Sequence, residues 1–258
     1  MEKNIFYAYF AAMLSKAQVK DIRSLTQYKS RIEQGAFIVE GDKMAKEWLA
    51  ARAPVKTIIG LKGWLSQNEA LVALHQDAQV IEVTEDELAR VSALQTPNAV
   101  LLVVHLPKEE KAKPGKEWIL ALDRLQDPGN MGTIIRIADW YGIRHIVASP
   151  DSVDFYNAKV LQSAMGGHLR VQLHQADLAS FLKETTLPIL AAALDGHNIY
   201  EFKKPEAAVL LIGNESKGIS PELLNMATSR VTIPRIGEAE SLNAAVATGI
   251  LCALLLPH

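Results

Sequence analysis

The sequence predicts two α/β domains with mainly parallel sheets, on three observations. Apolar runs of strand length alternate with segments of helical period along most of the 258 residues. A charged stretch holding two prolines and a glycine, LPKEEKAKPGKE at 106–117, interrupts the alternation. Hydrophobic residues make up 49% and charged residues 22%, the balance of a globular chain long enough for one large domain or two ordinary ones. The expected division is a smaller domain over 1–105, a linker over 106–117 and a second domain over 118–258.

In the first part a helix is expected within 17–27, then a strand at 35–41, a helix at 42–52 and a strand at 55–61. A helix at 68–76, a strand at 78–84, a helix at 85–94 and a strand at 99–106 follow. After the linker the strands are 118–125, 145–149, 169–175, 188–194, 207–213 and 230–234, with helices between several of them. A last helix begins at Ser241.

That helix is apolar and uncharged from Ala244 to Leu256, yet 13 residues fall short of the roughly 20 that span a bilayer. It is read as buried, in a core or a subunit interface. Near the N-terminus Glu2 stands beside Lys3 and no small-residue cleavage site follows cleanly, so no signal peptide is expected. Cys252 is the single cysteine, which rules out a disulfide within one chain. The chain reads as soluble and cytoplasmic. Its formal charge of −2 argues against coating nucleic acid through bulk charge. A local basic patch remains: Lys16, Lys20, Arg23, Lys29 and Arg31 against Asp21 alone, either an RNA-binding surface or a solvated helix and loop.

Ligands of open α/β sheets bind at loops leaving the carboxyl ends of strands, and three such loops are chemically loaded. In DRLQDPGNMGTIIRIADWYG (123–142), Asp127-Pro128-Gly129-Asn130 forces a turn, Thr133 or Asn130 caps the following helix, and Arg136 lies one turn into it. In AVLLIGNESKGISPELL (208–224) a buried strand enters Gly213 and a polar loop ends at Gly218. A P-loop would need lysine after the second glycine, where Ile219 stands, so an ATPase reading loses its support. Glu215 is either catalytic or a partner for loop amides. In RVTIPRIGEAESLNAAVATG (230–249) a short strand ends at Ile233-Pro234, and Ser241 reads as an N-cap with Asn243 in the first turn.

Taken together, the three loops resemble the signature motifs of the SpoU (TrmH-like) RNA ribose 2′-O-methyltransferases of the SPOUT class. Residues 127–138 resemble D-P-x-N-x-G-x-x-x-R-x-A; Gly213-Asn214-Glu215 with Gly218 resembles G-N-E-x-x-G; Ile233-Pro234 followed by Ser241-Leu242-Asn243 resembles the third motif. The resemblance implies a trefoil-knotted α/β domain over 118–258 and, ahead of it, an L30e-like substrate-binding domain. It implies methyl transfer from S-adenosylmethionine to a ribose 2′-hydroxyl, ribosomal RNA being favoured over transfer RNA. A homodimer through the C-terminal domain is implied, with the site near the interface. Arg136 would stand at the target hydroxyl, with Asn130, Glu215, Ser241 and Asn243 around it. Gly213, Asn214, Leu194, Ile233 and Leu242 would meet the cofactor.

No metal is required by this chemistry, and the seven histidines are scattered. Two departures from the family pattern stand out: Arg235 where an apolar residue is usual, and Ala244-Ala245-Val246 after the third motif. The rival from another class is a non-catalytic RNA-binding or ribosome-assembly protein on the same scaffold.

Overall fold

The computed structural model describes residues 14–94, 96, 98–108, 112 and 115–256. The stretch that bears on a signal peptide, 1–13, lies outside them, as do parts of the expected linker. The chain forms two compact units, 1–108 and 109–258, so the division falls inside that linker.

The first unit runs α1 (Lys16–Ser24), α2 (Tyr28–Gln34), β1 (Ala36–Glu40), α3 (Asp42–Ala50), β2 (Val55–Leu61), α4 (Lys62–Gln67), α5 (Glu69–Val72), β3 (Gln79–Val83), α6 (Glu85–Val91) and β4 (Val100–His105). Ser15 and Thr84 open α1 and α6 with reciprocal capping boxes to Gln18 and Glu87. The sheet has the order β1-β4-β2-β3 and corrects the expectation of a mainly parallel sheet here. Strand β4 is antiparallel to both β1 and β2, and only β2–β3 is parallel. A local tether accounts for it. Glu40, at the carboxyl end of β1, accepts from Ser92 Oγ at 2.5 Å and from the Ala93 amide at 2.9 Å. The chain leaving α6 is thereby held at the carboxyl ends of the strands, and β4 can only run back. Of the expected helix at 68–76 only the short α5 forms, and α4, which meets it at Asn68, is an additional helix that the periodicity did not predict.

The second unit runs β5 (Ile119–Leu122), α7 (Pro128–Trp140), β6 (His145–Ala148), α8 (Ala158–Ala164), a 3-10 turn (Gly167–Leu169), β7 (Gln172–Gln175), α9 (Leu178–Glu184), β8 (Ile189–Asn198), β9 (Val209–Ile212), α10 (Pro221–Met226), β10 (Ser229–Thr232) and α11 (Ala244–Leu255). All six strands are parallel, in the order β10-β8-β9-β5-β6-β7. Central strands read as unbroken apolar runs because both faces are covered. Leu120, Leu122 and Leu210 pack with residues of α7, α8 and α11. Ile119, Ala121, Val209 and Leu211 point the other way, into a core with Leu178 and Leu182 of α9 and Leu223 of α10.

Strand order reverses between β5 and β9, which is where α/β sheets open a crevice at their carboxyl ends. From the edge strand β10 the chain doubles back and lays α11 against α7. That retracing is the course the knotted-fold expectation calls for. Cys252 is fully buried in α11, and burial pushes its thiol up to about 12. No helix among the described residues is long and apolar enough to cross a membrane.

Candidate functional site

Four connections leaving the carboxyl ends of β5, β8, β9 and β10 converge. The first is the β5–α7 connection. Asp127 caps α7, accepting from the Asn130 amide at 2.7 Å, with Pro128 in the first turn. This corrects the expectation that Asn130 or Thr133 caps the helix; Thr133 Oγ1 instead donates to Gly129 O. Because Asp127 takes the cap, the Asn130 amide group is left for long-range contacts. Its Nδ2 donates to Glu215 Oε1 at 2.9 Å, and its Oδ1 accepts from Asn243 Nδ2 at 2.8 Å.

The second is the β9–α10 loop. Asn214 folds it: Oδ1 accepts from the Ser216 and Lys217 amides, Nδ2 donates to Arg124 O at 2.8 Å, and its backbone pairs with Gly218. The turn sits directly on Gly213. A Cβ there would lie 2.3 Å from both Gly218 C and Ile219 N. Gly213 therefore admits its own loop's backbone, a different need from the close approach of a ligand. The buried Asp123 at the end of β5 pins the loop's far side, Oδ2 accepting from the Ser220 amide at 2.7 Å. Held at both ends, the loop aims Glu215 at Asn130.

The third and fourth come from β8 and β10. Their pairing steps from Ala191–Arg230 to His197–Val231, so residues 192–196 arch out of the ladder. Gly196 closes the arch where a Cβ would lie 2.6 Å from the Arg230 backbone, and Leu194 stands exposed on it. After β10, Ile233 to Leu242 form a loop leading into α11. The helix begins at Ala244 with Asn243 as N-cap, accepting from the Ala245 and Val246 amides. This corrects Ser241 as the cap: Ser241 is exposed and bonds to no described residue.

These loops enclose a cavity of about 940 Å³, the size of a site for a ligand of cofactor class. Leu194, Gly213, Asn214, Ile233 and Leu242 all line it, together with Glu215 and Ser241. Asn130 reaches its edge through Glu215, and Asn243 is joined to Asn130. Arg136 stands apart. It is exposed on α7, does not line the cavity, and has no hydrogen bond or ion pair with a described residue.

Sequence reasoning missed Asp123, Arg124 and Ser149, which build the floor under the loops: Arg124 carries φ +54° and its amide donates to Ser149 Oγ at 2.8 Å. An acid ending a fully apolar strand was the available signal. In the other unit Lys16, Lys20, Arg23 and Lys29 are exposed. Arg31 corrects the RNA-binding expectation: it is 3% exposed, its Nη1 donating to Leu25 O at 2.8 Å and Thr26 O at 2.9 Å. It ties off carbonyls at the end of α1.

The SpoU rRNA Methylase family model matches residues 117–253, and an MRM3-like substrate binding domain matches residues 16–102. The chain is 33% identical to the Bacillus subtilis 23S rRNA (guanosine(2553)-2'-O)-methyltransferase RlmP, over 91% of this chain and 94% of that protein. A TrmH-family structure from Porphyromonas gingivalis is 39% identical, with a TM-score of 0.84, covering 95% of this chain and 99% of that one. An AdoMet-bound rRNA methyltransferase from Sinorhizobium meliloti is 31% identical, with a TM-score of 0.84, covering 93% of this chain and 94% of that one.

Proposed function

The chain belongs to the SpoU rRNA methylase family, and from that premise we propose that it methylates a ribose 2′-hydroxyl of ribosomal RNA at the cavity beneath Glu215. It is an S-adenosylmethionine-dependent RNA methyltransferase. The observation that carries the reading is the relay Asn243–Asn130–Glu215, which joins side chains from three loops at the edge of a cofactor-sized cavity.

The cavity fits the cofactor in size and in kind. Leu194, Ile233 and Leu242 offer apolar walls to an adenine, and Gly213, Glu215 and Ser241 line the same cavity. S-adenosylmethionine supplies a methyl carbon already activated by its sulfonium. The chain must then place the ribose oxygen in line with that carbon and dispose of one proton as the O–C bond forms and the S–C bond breaks, the thioether S-adenosylhomocysteine being the leaving group. Two carboxylates line the cavity, Glu215 and Glu240, and Asn130 fixes the orientation of Glu215 through Oε1. Arg136, a permanent cation with no partner among the described residues, is free to bind the RNA phosphate or the developing alkoxide. All five expected site residues are present and three of them are linked, which leaves the non-catalytic alternative without support.

The working form is a homodimer through α7 and α11. Trp140 at 83% and Val246 at 52% exposure leave apolar surface on these two mutually packed helices. Arg136 lies on α7 as well. With a ribosomal RNA substrate, the location proposed for the enzyme is the cytoplasm.

The test is incubation with methyl-labelled S-adenosylmethionine and unmodified ribosomal or transfer RNA transcripts, alongside Arg136→Ala. Label in ribosomal RNA at one alkali-resistant linkage, absent with the variant, is the expected result. Cofactor binding without label in any transcript would move the substrate to an assembled ribonucleoprotein. Failure to bind the cofactor would overturn the assignment of the cavity.

A further inference from the structure

On α2 the two faces have opposite uses. Arg31 and Gln34 turn toward α1: Arg31 donates to Leu25 O and Thr26 O, and Gln34 Nε2 donates to Ser24 Oγ at 2.8 Å. Tyr28 and Ile32, one turn apart at i and i+4, share another stripe and stay 52% and 53% exposed. Neither side chain has a hydrogen bond or ring contact with a described residue. The next stripe carries Lys29, paired to Glu33 at 3.7 Å. On the neighbouring helix Lys16, Lys20 and Arg23 are exposed, so solvent-facing cations outnumber the two acids of this segment, Asp21 and Glu33.

An aromatic ring beside an aliphatic side chain, framed by cations, matches one occupant best. Unpaired nucleic acid offers flat bases to stack and phosphates to neutralise, whereas a duplex hides its base faces. We propose that Tyr28 and Ile32 form a stacking platform for an unpaired base of the RNA substrate, the flanking phosphates being held by Lys29 and the cations of α1. This rests on the RNA methyltransferase reading and adds to it a substrate feature: an unpaired stretch of the RNA that the first unit holds.

Stacking and phosphate contact separate by their salt dependence. A fluorescein-labelled oligouridylate is titrated with the full-length protein across a salt series, and the same strand paired with oligoadenylate serves as the duplex probe. Tyr28→Ala should bind the single strand roughly ten-fold more weakly, about 1.4 kcal/mol. Its slope of log affinity against log salt should be unchanged, because no phosphate contact is lost. Tyr28→Phe keeps the ring and should bind as the parent does. Lys29→Ala should instead flatten the slope by about 0.7. Parental affinity in Tyr28→Ala overturns the platform. So does a loss of equal size on the duplex, or a loss accompanied by a flatter slope. If the parent protein itself binds neither probe and methylates no RNA, the functional reading falls first and the platform with it.

Discussion

Asn130 Nδ2 donates to Glu215 Oε1 at 2.9 Å across 85 positions of sequence. The bond joins the loop after the central strand β5 to the loop after its neighbour β9. Neither loop alone makes a site; the contact turns two turns of chain into one oriented carboxylate.

Asn130→Asp tests that relationship without changing shape. Aspartate can still accept from Asn243, but it sets a like charge against Glu215 where an N–H stood. The expected outcome is a loss of methyl transfer of roughly a hundred-fold or more, the range for a displaced proton acceptor. Cofactor affinity measured by calorimetry should change little. Equal losses in both would make the bond a scaffold for the cavity.

Gly213→Ala introduces a Cβ 2.3 Å from backbone atoms of Gly218 and Ile219. The β9–α10 loop must move, at a cost of about 1–3 kcal/mol. Weaker S-adenosylmethionine binding and a lower melting temperature are expected together. An unchanged Kd would show that the cavity does not depend on this turn.

Arg31→Ala removes a buried guanidinium that satisfies Leu25 O and Thr26 O. Leaving those carbonyls unpaired costs about 1–3 kcal/mol, readable in denaturant unfolding. The salt slope of RNA binding should stay as it is. Lys20→Glu should do the reverse, changing the slope and sparing stability.

His168 is held well below its usual range, at about 4, by burial, which outweighs the raising effect of its bond to Phe155 O. Between pH 4 and its ordinary value near 6.5 the unfolded chain binds a proton there that the folded chain refuses. Stability should therefore fall as pH drops from about 6.5 toward 4. His145, whose pKa is lowered mainly by desolvation, adds in the same direction. His168→Gln removes the titration, so its melting temperature should decline less over that window. Parallel curves for variant and parent would contradict the assignment.

Most strands were legible because fully covered strands are unbroken apolar runs: 55–61 was placed to the residue, and β5, β6 and β9 lie inside their expected ranges. The helix after β5 was legible in kind and wrong at its cap, since Asp127, Asn130 and Thr133 are all competent capping residues. Only geometry selects among them. Arg31 was misread for a related reason: a cation between polar residues looks solvated until a helix end nearby offers it carbonyls.

The sequence by itself pointed to the class of chemistry through the resemblance of three motifs in order: Asn130 and Arg136 in the first, Gly213, Glu215 and Gly218 in the second, Ser241 and Asn243 in the third. It also determined the division into two α/β units, through composition. Tertiary structure alone decided which side chains meet. It put Asn130 on Glu215 and Asn243 on Asn130, left Arg136 outside the cavity, spent Gly213 on its own loop, and reversed β4 in the first sheet. The physical reason is common to all four. Each depends on where a strand's carboxyl end lies relative to another's, a long-range register set by packing of the whole sheet and by bonds such as those of Asp123 and Glu40, which local periodicity does not encode.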